Sequence, residues 1–247
     1  MNVERLLEGY AFLGGEQLSV AYVKGDEGVA QTAVQVLTDK RADIFGIFRV
    51  ENPFPQIRVV LVPDRAEFDR LVRDLLKIEI EVPSHPARIA QPQRTDMVVL
   101  SPTAYPDHSI FEYVPDEFRR LLVHELIHMV EEFLSPDIES IPGWWSEGLA
   151  VYFSEQARFE DGFRKVALDA IASEQIPDLD KVLKDGRMAY DWGWTLVQWI
   201  DRTMGRDVVL KIVRECVDGD VVSFLGRDFR AMEEQWTWWL TNGGYVS

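Results

Sequence analysis

Residues 115–134 form the segment that most restricts how this chain can fold. Apart from one central polar cluster, the charged residues of this segment lie near its two ends, and hydrophobic residues cover most sides of the helix it would form. A helix that is apolar on most of its circumference is buried in a protein interior rather than lying on the surface. We therefore predict a helix from Pro115 to Leu134 at the centre of the molecule.

The two sides of this helix have different sequence patterns. Ahead of it, three runs rich in β-branched residues predict short strands, at 18–23 (LSVAYV), 57–62 (IRVVLV) and 97–100 (MVVL). Asp64 is placed to cap a helix after the second strand. Residues 81–94 contain three prolines and little periodicity, which predicts a loop.

After Leu134 nearly all of the sequence has helical periodicity. The predicted fold class is α+β, with a small mixed β-sheet and helices in an N-terminal lobe (residues 1–134, including the central helix) and a mainly α-helical C-terminal lobe (residues 135–247). Six tryptophans of the C-terminal lobe are expected to fill its core. They are Trp192, Trp194, Trp199, Trp236, Trp238 and Trp239.

Charge and cysteine content exclude several classes of function. Lys and Arg number 26 against 42 Asp and Glu, which gives a formal net charge of −16. This balance argues against binding nucleic acid or an anionic membrane through a basic face. Because Cys216 is the one cysteine, the chain has no intrachain disulfide and no thiolate metal cluster. Any metal ion must be bound by histidine and carboxylate side chains.

The sequence predicts a soluble, cytoplasmic protein without a membrane segment. No uninterrupted apolar run approaches the roughly 20 residues that a membrane-spanning helix needs, and the first residues lack the layout of a secretion signal. A secretion signal or membrane anchor in a segment upstream of residue 1 is an alternative that the sequence leaves open. Nothing in the sequence specifies the oligomeric state.

The central helix contains the polar sequence HELIH at residues 124–128. His124 and His128 are four residues apart, so both imidazoles project from one face about 6 Å apart along the axis, a span that one metal ion can bridge. Glu125 lies next to that face, where it can take a proton from a metal-bound water. Because buried polar groups need partners, three of them in so apolar a helix favour a metal site over histidines that only complete the core.

A catalytic zinc site has three protein ligands and an open position for water, so a third ligand must come from another segment. The best candidate is Glu147, in the segment 141–150 (IPGWWSEGLA), where it lies among apolar neighbours. Gly148 and Ala150 are small, as they would be if two helices had to approach closely around the metal.

The combination of HELIH, eighteen intervening residues and Glu147 within a W-x-x-E-G-x-A context resembles the gluzincin metallopeptidases, in particular the branch with aminopeptidase-like and peptidase MA-like domains. The resemblance implies a zincin-like fold, one Zn²⁺ per chain bound by His124, His128 and Glu147, and Glu125 as general base. It implies a hydrolase that acts on a peptide or protein substrate. It also implies that the predicted strand at 97–100 borders the cleft and pairs with an extended peptide.

The family mechanism usually includes a donor that stabilises the oxyanion formed when water attacks the amide carbonyl. Relatives carry a tyrosine at the start of a late helix, which makes Tyr190 the candidate. A partly buried structural tyrosine is an equally open interpretation of this residue. Tyr113 and Tyr152 are weaker alternatives for the same role.

Two departures from related patterns restrict the resemblance. Val151 occupies the position, four residues after Glu147, where thermolysin-like members have an acidic residue that orients a histidine. The amino-terminus-binding motif G-x-M-E-N of the aminopeptidases does not precede the metal helix. The sequence therefore does not support an aminopeptidase.

Two other functions remain open. Two histidines and a carboxylate also bind non-haem iron, although an oxygenase has no need of a carboxylate beside the first ligand. The second alternative is a catalytically silent or single-partner zincin-fold module with a binding or regulatory role.

Overall fold

The computed structural model describes residues 3–51 and 53–246 and has an α+β fold with a five-stranded mixed sheet. The chain divides into two compact units, the first ending at Val130 and the second beginning at Glu131. This division falls inside the predicted central helix, which runs from Pro115 to Leu134 as expected. Most of its apolar side chains are buried, but Phe133 in its last turn is exposed.

The sheet belongs to the first unit. Its strands are β1 (Ala11–Gly14), β2 (Leu18–Tyr22), β3 (Ile57–Val62), β4 (Ala90–Gln93) and β5 (Asp96–Leu100). They are arranged in the order β1-β2-β3-β5-β4, with β2, β3 and β5 parallel and both edge strands antiparallel to their neighbours. The three predicted strands are confirmed, and β1 and β4 were not predicted.

Strand β3 is central, and its sequence explains why. Five of its six side chains, Ile57 and Val59 to Val62, are fully buried, as expected for a parallel strand covered on both faces. On one face Val60 and Val62 belong to an apolar cluster that includes Phe68 and Leu71 from the following helix. The sheet is therefore held by side chains of the apolar run that predicted this strand.

Strand β4 corrects the prediction of a loop at residues 81–94. Its sequence, AQPQ, has no apolar alternation, so the strand depends on its partner rather than on its own propensity. Pro92 is opposite Met97. The Leu100 N–H donates to the Ile89 C=O, and bonded and non-bonded pairs alternate along an antiparallel ladder, so Pro92 and Met97 form a non-bonded pair. The nitrogen of Pro92, which has no hydrogen to donate, therefore faces away from β5. Because β4 covers β5, the prediction that residues 97–100 form a peptide-binding edge is wrong.

Among its described residues, the first unit contains five helices. Their bounds are α1 (Val3–Leu6), α2 (Glu27–Phe48), α3 (Arg65–Asp74), α4 (Tyr105–His108) and α5 (Pro115–Leu134), the last continuing into the second unit, with a short 3₁₀ turn at Pro102–Ala104. Asp64 caps α3 as predicted, because its carboxylate accepts a hydrogen bond of 2.8 Å from the Glu67 N–H.

The second unit is helical. It contains α6 (Gly143–Phe153), α7 (Gln156–Phe159), α8 (Asp161–Ala172), α9 (Leu179–Lys184), α10 (Gly186–Met204), α11 (Arg206–Glu215), α12 (Val221–Phe224) and α13 (Phe229–Thr241), with 3₁₀ turns at Ile138–Ser140 and Gly244–Val246. Five of the six tryptophans are buried as predicted. Trp238 is the exception, since two thirds of its surface (66%) is exposed.

None of the helices in the described part of the chain is long and apolar enough to cross a membrane.

Candidate metal centre

The histidine pair lies on the middle turns of α5. His124 is buried, with 6% of its surface exposed, and His128 is partly buried. The two Nε2 atoms are 3.0 Å apart and the rings are nearly perpendicular, with an interplanar angle of 77°. The i, i+4 spacing on the helix thus places one ring nitrogen of each histidine next to the other, as the sequence predicts.

Glu125 follows His124 on the same helix and is equally buried, with 6% of its surface exposed. Consecutive residues on a helix are rotated by about 100°, so its carboxylate leaves α5 beside the histidine face rather than on it. In H-E-x-x-H sites a carboxylate at this helical position acts on a metal-bound water without itself being a ligand.

Glu147 lies on the second turn of α6. This helix begins after Pro142, whose carbonyl accepts hydrogen bonds from the N–H groups of Trp145 and Ser146. The Glu147 side chain is partly buried, and its Oε1 accepts a hydrogen bond of 2.7 Å from the hydroxyl of Tyr190 on α10. The third predicted ligand and the predicted tyrosine are therefore in direct contact.

Two glycines explain how α6 and α10 approach closely enough for this contact. A Cβ atom on Gly148 would lie 2.6 Å from the carbonyl oxygen of Gly193, and one on Gly193 would collide with the carbonyl of Trp144. No larger side chain fits at either position without a shift of backbone. Glu147 precedes Gly148, and Tyr190 is about one turn before Gly193, so the glycine contact sets the distance between their side chains.

One ligand atom from each of His124, His128 and Glu147 lies within 4.8 Å of the other two. A tetrahedral ion bound at about 2.0–2.1 Å separates its ligand atoms by about 3.3 Å, so this spacing needs only small side-chain movements to close around an ion. Two imidazole nitrogens and one carboxylate oxygen form a donor set typical of catalytic zinc. The residues present thus fit a single metal ion.

The two alternative tyrosines differ from Tyr190 in their contacts. The Tyr152 hydroxyl donates a hydrogen bond of 2.9 Å to Asp201, which also pairs with Arg206 at 2.6 Å. Burial, reinforced by the negative charge of Asp201, raises the pKa of Tyr152 to about 12. Tyr113 is half-exposed and makes edge contacts with the rings of Tyr105 and Phe118. Among these tyrosines, Tyr190 is the one whose hydroxyl bonds to a predicted ligand.

Glu131 and Ser146 form a second polar pair, which was not predicted from the sequence. Glu131 on α5 has only 1% of its surface exposed, and its Oε2 accepts a hydrogen bond of 2.5 Å from the hydroxyl of Ser146 on α6. The signal that could have found Glu131 is its spacing, because residues 124, 128 and 131 fall on one face of an α-helix.

No protein-family model matches the chain, and none of the curated proteins matches it.

Proposed function

We propose that this protein is a zinc-dependent metallopeptidase that hydrolyses peptide bonds. The observation that supports this proposal best is the convergence of ligand atoms from His124, His128 and Glu147 within 4.8 Å of one another. A buried carboxylate, Glu125, stands beside the first of these ligands on the same helix. Hydrolysis needs such a proton acceptor next to the metal, whereas electron-transfer or oxygenase chemistry does not.

In this proposal His124, His128 and Glu147 hold the ion. A bound zinc supplies a Lewis acid that polarises the substrate carbonyl and lowers the pKa of water. The carboxylate of Glu125 accepts a proton from the attacking water, whose oxygen forms the new bond to the carbonyl carbon. When the carbon–nitrogen bond breaks, Glu125 returns that proton to the leaving amine, so the products are a carboxylic acid and an amine.

Tyr190 is the proposed donor to the oxyanion. Its hydroxyl donates to Glu147 Oε1 at 2.7 Å, and 43% of its surface is exposed, so its ring has room to turn. In the reaction the hydroxyl would leave the Glu147 carboxylate and donate its hydrogen bond to the substrate carbonyl oxygen, on which negative charge develops.

The proposed family is the gluzincins, with a zincin-like arrangement of the sheet and α5. The supporting pattern is the HELIH sequence followed after eighteen residues by Glu147, together with a mixed sheet that precedes the metal helix. Peptide or protein substrates follow from this assignment.

The test is the metal content of the purified protein, measured by elemental analysis beside the His124→Ala/His128→Ala double variant. The proposal expects about one zinc per chain in the wild type and none in the double variant. A wild type that stays metal-free after dialysis against zinc would overturn the proposal and favour a binding or regulatory module. With zinc present, cleavage of a peptide library by the wild type, but not by Glu125→Gln, completes the test.

A further inference from the structure

Glu131 is a buried carboxylate close to the histidine pair along α5. It follows His128 by three residues and His124 by seven, so it lies on the same helical face one turn further on. With 1% of its surface exposed, it has lost nearly all contact with water. A buried carboxylate costs several kcal/mol unless hydrogen bonds compensate it, so its presence in this helix requires an explanation.

Ser146 on α6 supplies one such hydrogen bond. The 2.5 Å distance between its Oγ and Glu131 Oε2 lies in the range of charge-assisted O–H···O⁻ bonds, which are about twice as strong as neutral ones. Ser146 immediately precedes Glu147 and lies in the first turn of α6, where its own N–H bonds to the Pro142 carbonyl. The bond therefore joins the end of α5 to the residue adjacent to the third ligand.

This hydrogen bond joins α6 to α5, in addition to the contacts that join α6 to α10. Gly148 and Tyr190 relate α6 to α10, while the Ser146 bond relates α6 to the helix that carries both histidines. Neighbouring helical residues have a fixed angular offset of about 100°, so anchoring Ser146 on α5 sets the direction in which the Glu147 side chain leaves α6.

We infer that Glu131 and Ser146 are positioning residues that orient Glu147 for metal binding. The inference rests on the proposed metal site and adds to it a buried anchor outside the ligand set. Neither residue is assigned a role in proton transfer. Outer-shell hydrogen bonds of this kind typically contribute 10- to 100-fold in metal affinity.

The experiment compares the zinc affinity of Ser146→Ala with that of the wild type, by competition with a fluorescent chelator. The control is Ser154→Ala, since Ser154 is a buried serine at the end of the same helix whose hydroxyl bonds to Val151 O and Gln156 Oε1. Apo-protein thermal stability and the visible spectrum of the Co²⁺-loaded protein are measured in parallel. We expect roughly 10- to 100-fold weaker zinc binding and an altered Co²⁺ spectrum for Ser146→Ala only.

Two further variants separate positioning from general stability. Ser146→Thr keeps the hydroxyl and is expected to restore most of the zinc affinity. The double variant Ser146→Ala/Glu131→Met removes the hydroxyl and the carboxylate together, so no carboxylate stays buried after losing this donor, and it is expected to recover stability without recovering affinity. If Ser146→Ala alone does not fold, the zinc affinity of this double variant is compared with that of the wild type instead.

The outcomes distinguish the two levels of the proposal. A wild type that binds no zinc overturns the proposed function itself. If the wild type binds zinc and Ser146→Ala binds it equally well, the metal site stands and the positioning role is wrong. Equal losses of zinc affinity in Ser146→Ala and Ser154→Ala, or recovery of affinity in the double variant, would also contradict the positioning role. The hydrogen bond between Ser146 and Glu131 would then only stabilise the fold.

Discussion

The Cα atom of Gly148 lies 3.3 Å from the position that a Cβ atom of Gly193 would occupy. Helices α6 and α10 therefore touch backbone to backbone, one residue from Glu147 and about one turn from Tyr190. Helix axes are usually 8–10 Å apart, at a distance set by the side chains at the contact, and at these two glycines no side chain separates the two backbones. The distance between Glu147 and Tyr190 therefore depends on Gly148 and Gly193, which have no reactive side chain.

Replacing Gly193 with alanine is expected to force α10 away from α6 and to destabilise the protein by about 1–3 kcal/mol, the usual cost of overpacking. Urea denaturation measures this change. Gly186→Ala in the same helix is the control, because a Cβ atom there meets no atom within 4 Å. Alanine at that exposed helical position should leave stability equal or raise it by up to about 1 kcal/mol. Equal effects of the two substitutions would contradict the importance of the close contact.

Glu125→Gln is expected to abolish measurable peptide hydrolysis while zinc content stays near that of the wild type. The amide cannot accept the proton of water, and loss of a general base typically lowers kcat by about 10²–10⁴-fold. Glu117→Gln makes the same change at an exposed position on the first turn of α5 and should keep full activity. Full activity in Glu125→Gln would show that another group accepts the proton.

Tyr190→Phe tests the proposed oxyanion donor. Removing the hydroxyl should lower kcat by about 10²–10³-fold with a smaller effect on KM, because the hydrogen bond to the oxyanion exists only in the transition state. Tyr113→Phe serves as the comparison, since that half-exposed ring contacts Tyr105 and Phe118 instead of a ligand. If Tyr113→Phe lost activity and Tyr190→Phe kept it, the donor assignment would have to be reversed.

The sequence predicted those parts of the fold that follow from local patterns. Strands β2, β3 and β5 are apolar runs, and α5 is long and strongly patterned, so each was found close to its observed bounds. Strand β4 was not found, because AQPQ becomes a strand only through its pairing with β5. The same omission led to the wrong prediction that residues 97–100 form a free edge.

The candidate ligands could be named from the local sequence around each of them, but the contacts that support them could not. His124 and His128 are related by one helical turn, whereas the bond between Ser146 and Glu131 joins residues on different helices. Likewise, the size of Gly148 suggested a close helix contact, but not that Gly193 was its partner. Such relationships depend on tertiary packing, which periodicity does not encode.

Tyr152 should make stability depend on pH under alkaline conditions. Burial and the nearby Asp201 raise its pKa from the usual 10.0 to about 12, so the folded state holds the phenol proton more tightly than the unfolded chain. Its contribution to stability is complete below pH 10 and is lost as the pH rises towards 12. Tyr152→Phe should therefore weaken the dependence of the unfolding free energy on pH between 10 and 12. An unchanged slope in urea titrations across this range would refute the assignment.

Arg65 is expected to be the residue that keeps the segment before β4 in place. It is buried, and its guanidinium donates hydrogen bonds to Ser84 Oγ and to the carbonyls of Arg88 and His108. Asp69, also buried, accepts from the backbone N–H and the hydroxyl of Ser84.

Arg65→Met leaves these acceptors and the Asp69 carboxylate without their cationic neighbour, so it should cost about 3–5 kcal/mol, the typical result of removing one partner from a buried charged network. Arg73→Met, at an exposed position of the same helix, should change stability by no more than about 0.5 kcal/mol. Urea denaturation measures both, and hydrogen exchange at Leu100, whose N–H bonds to Ile89 C=O, reports whether the segment has detached from β5. Slow exchange at Leu100 in Arg65→Met would show that β4 is held by its strand pairing alone.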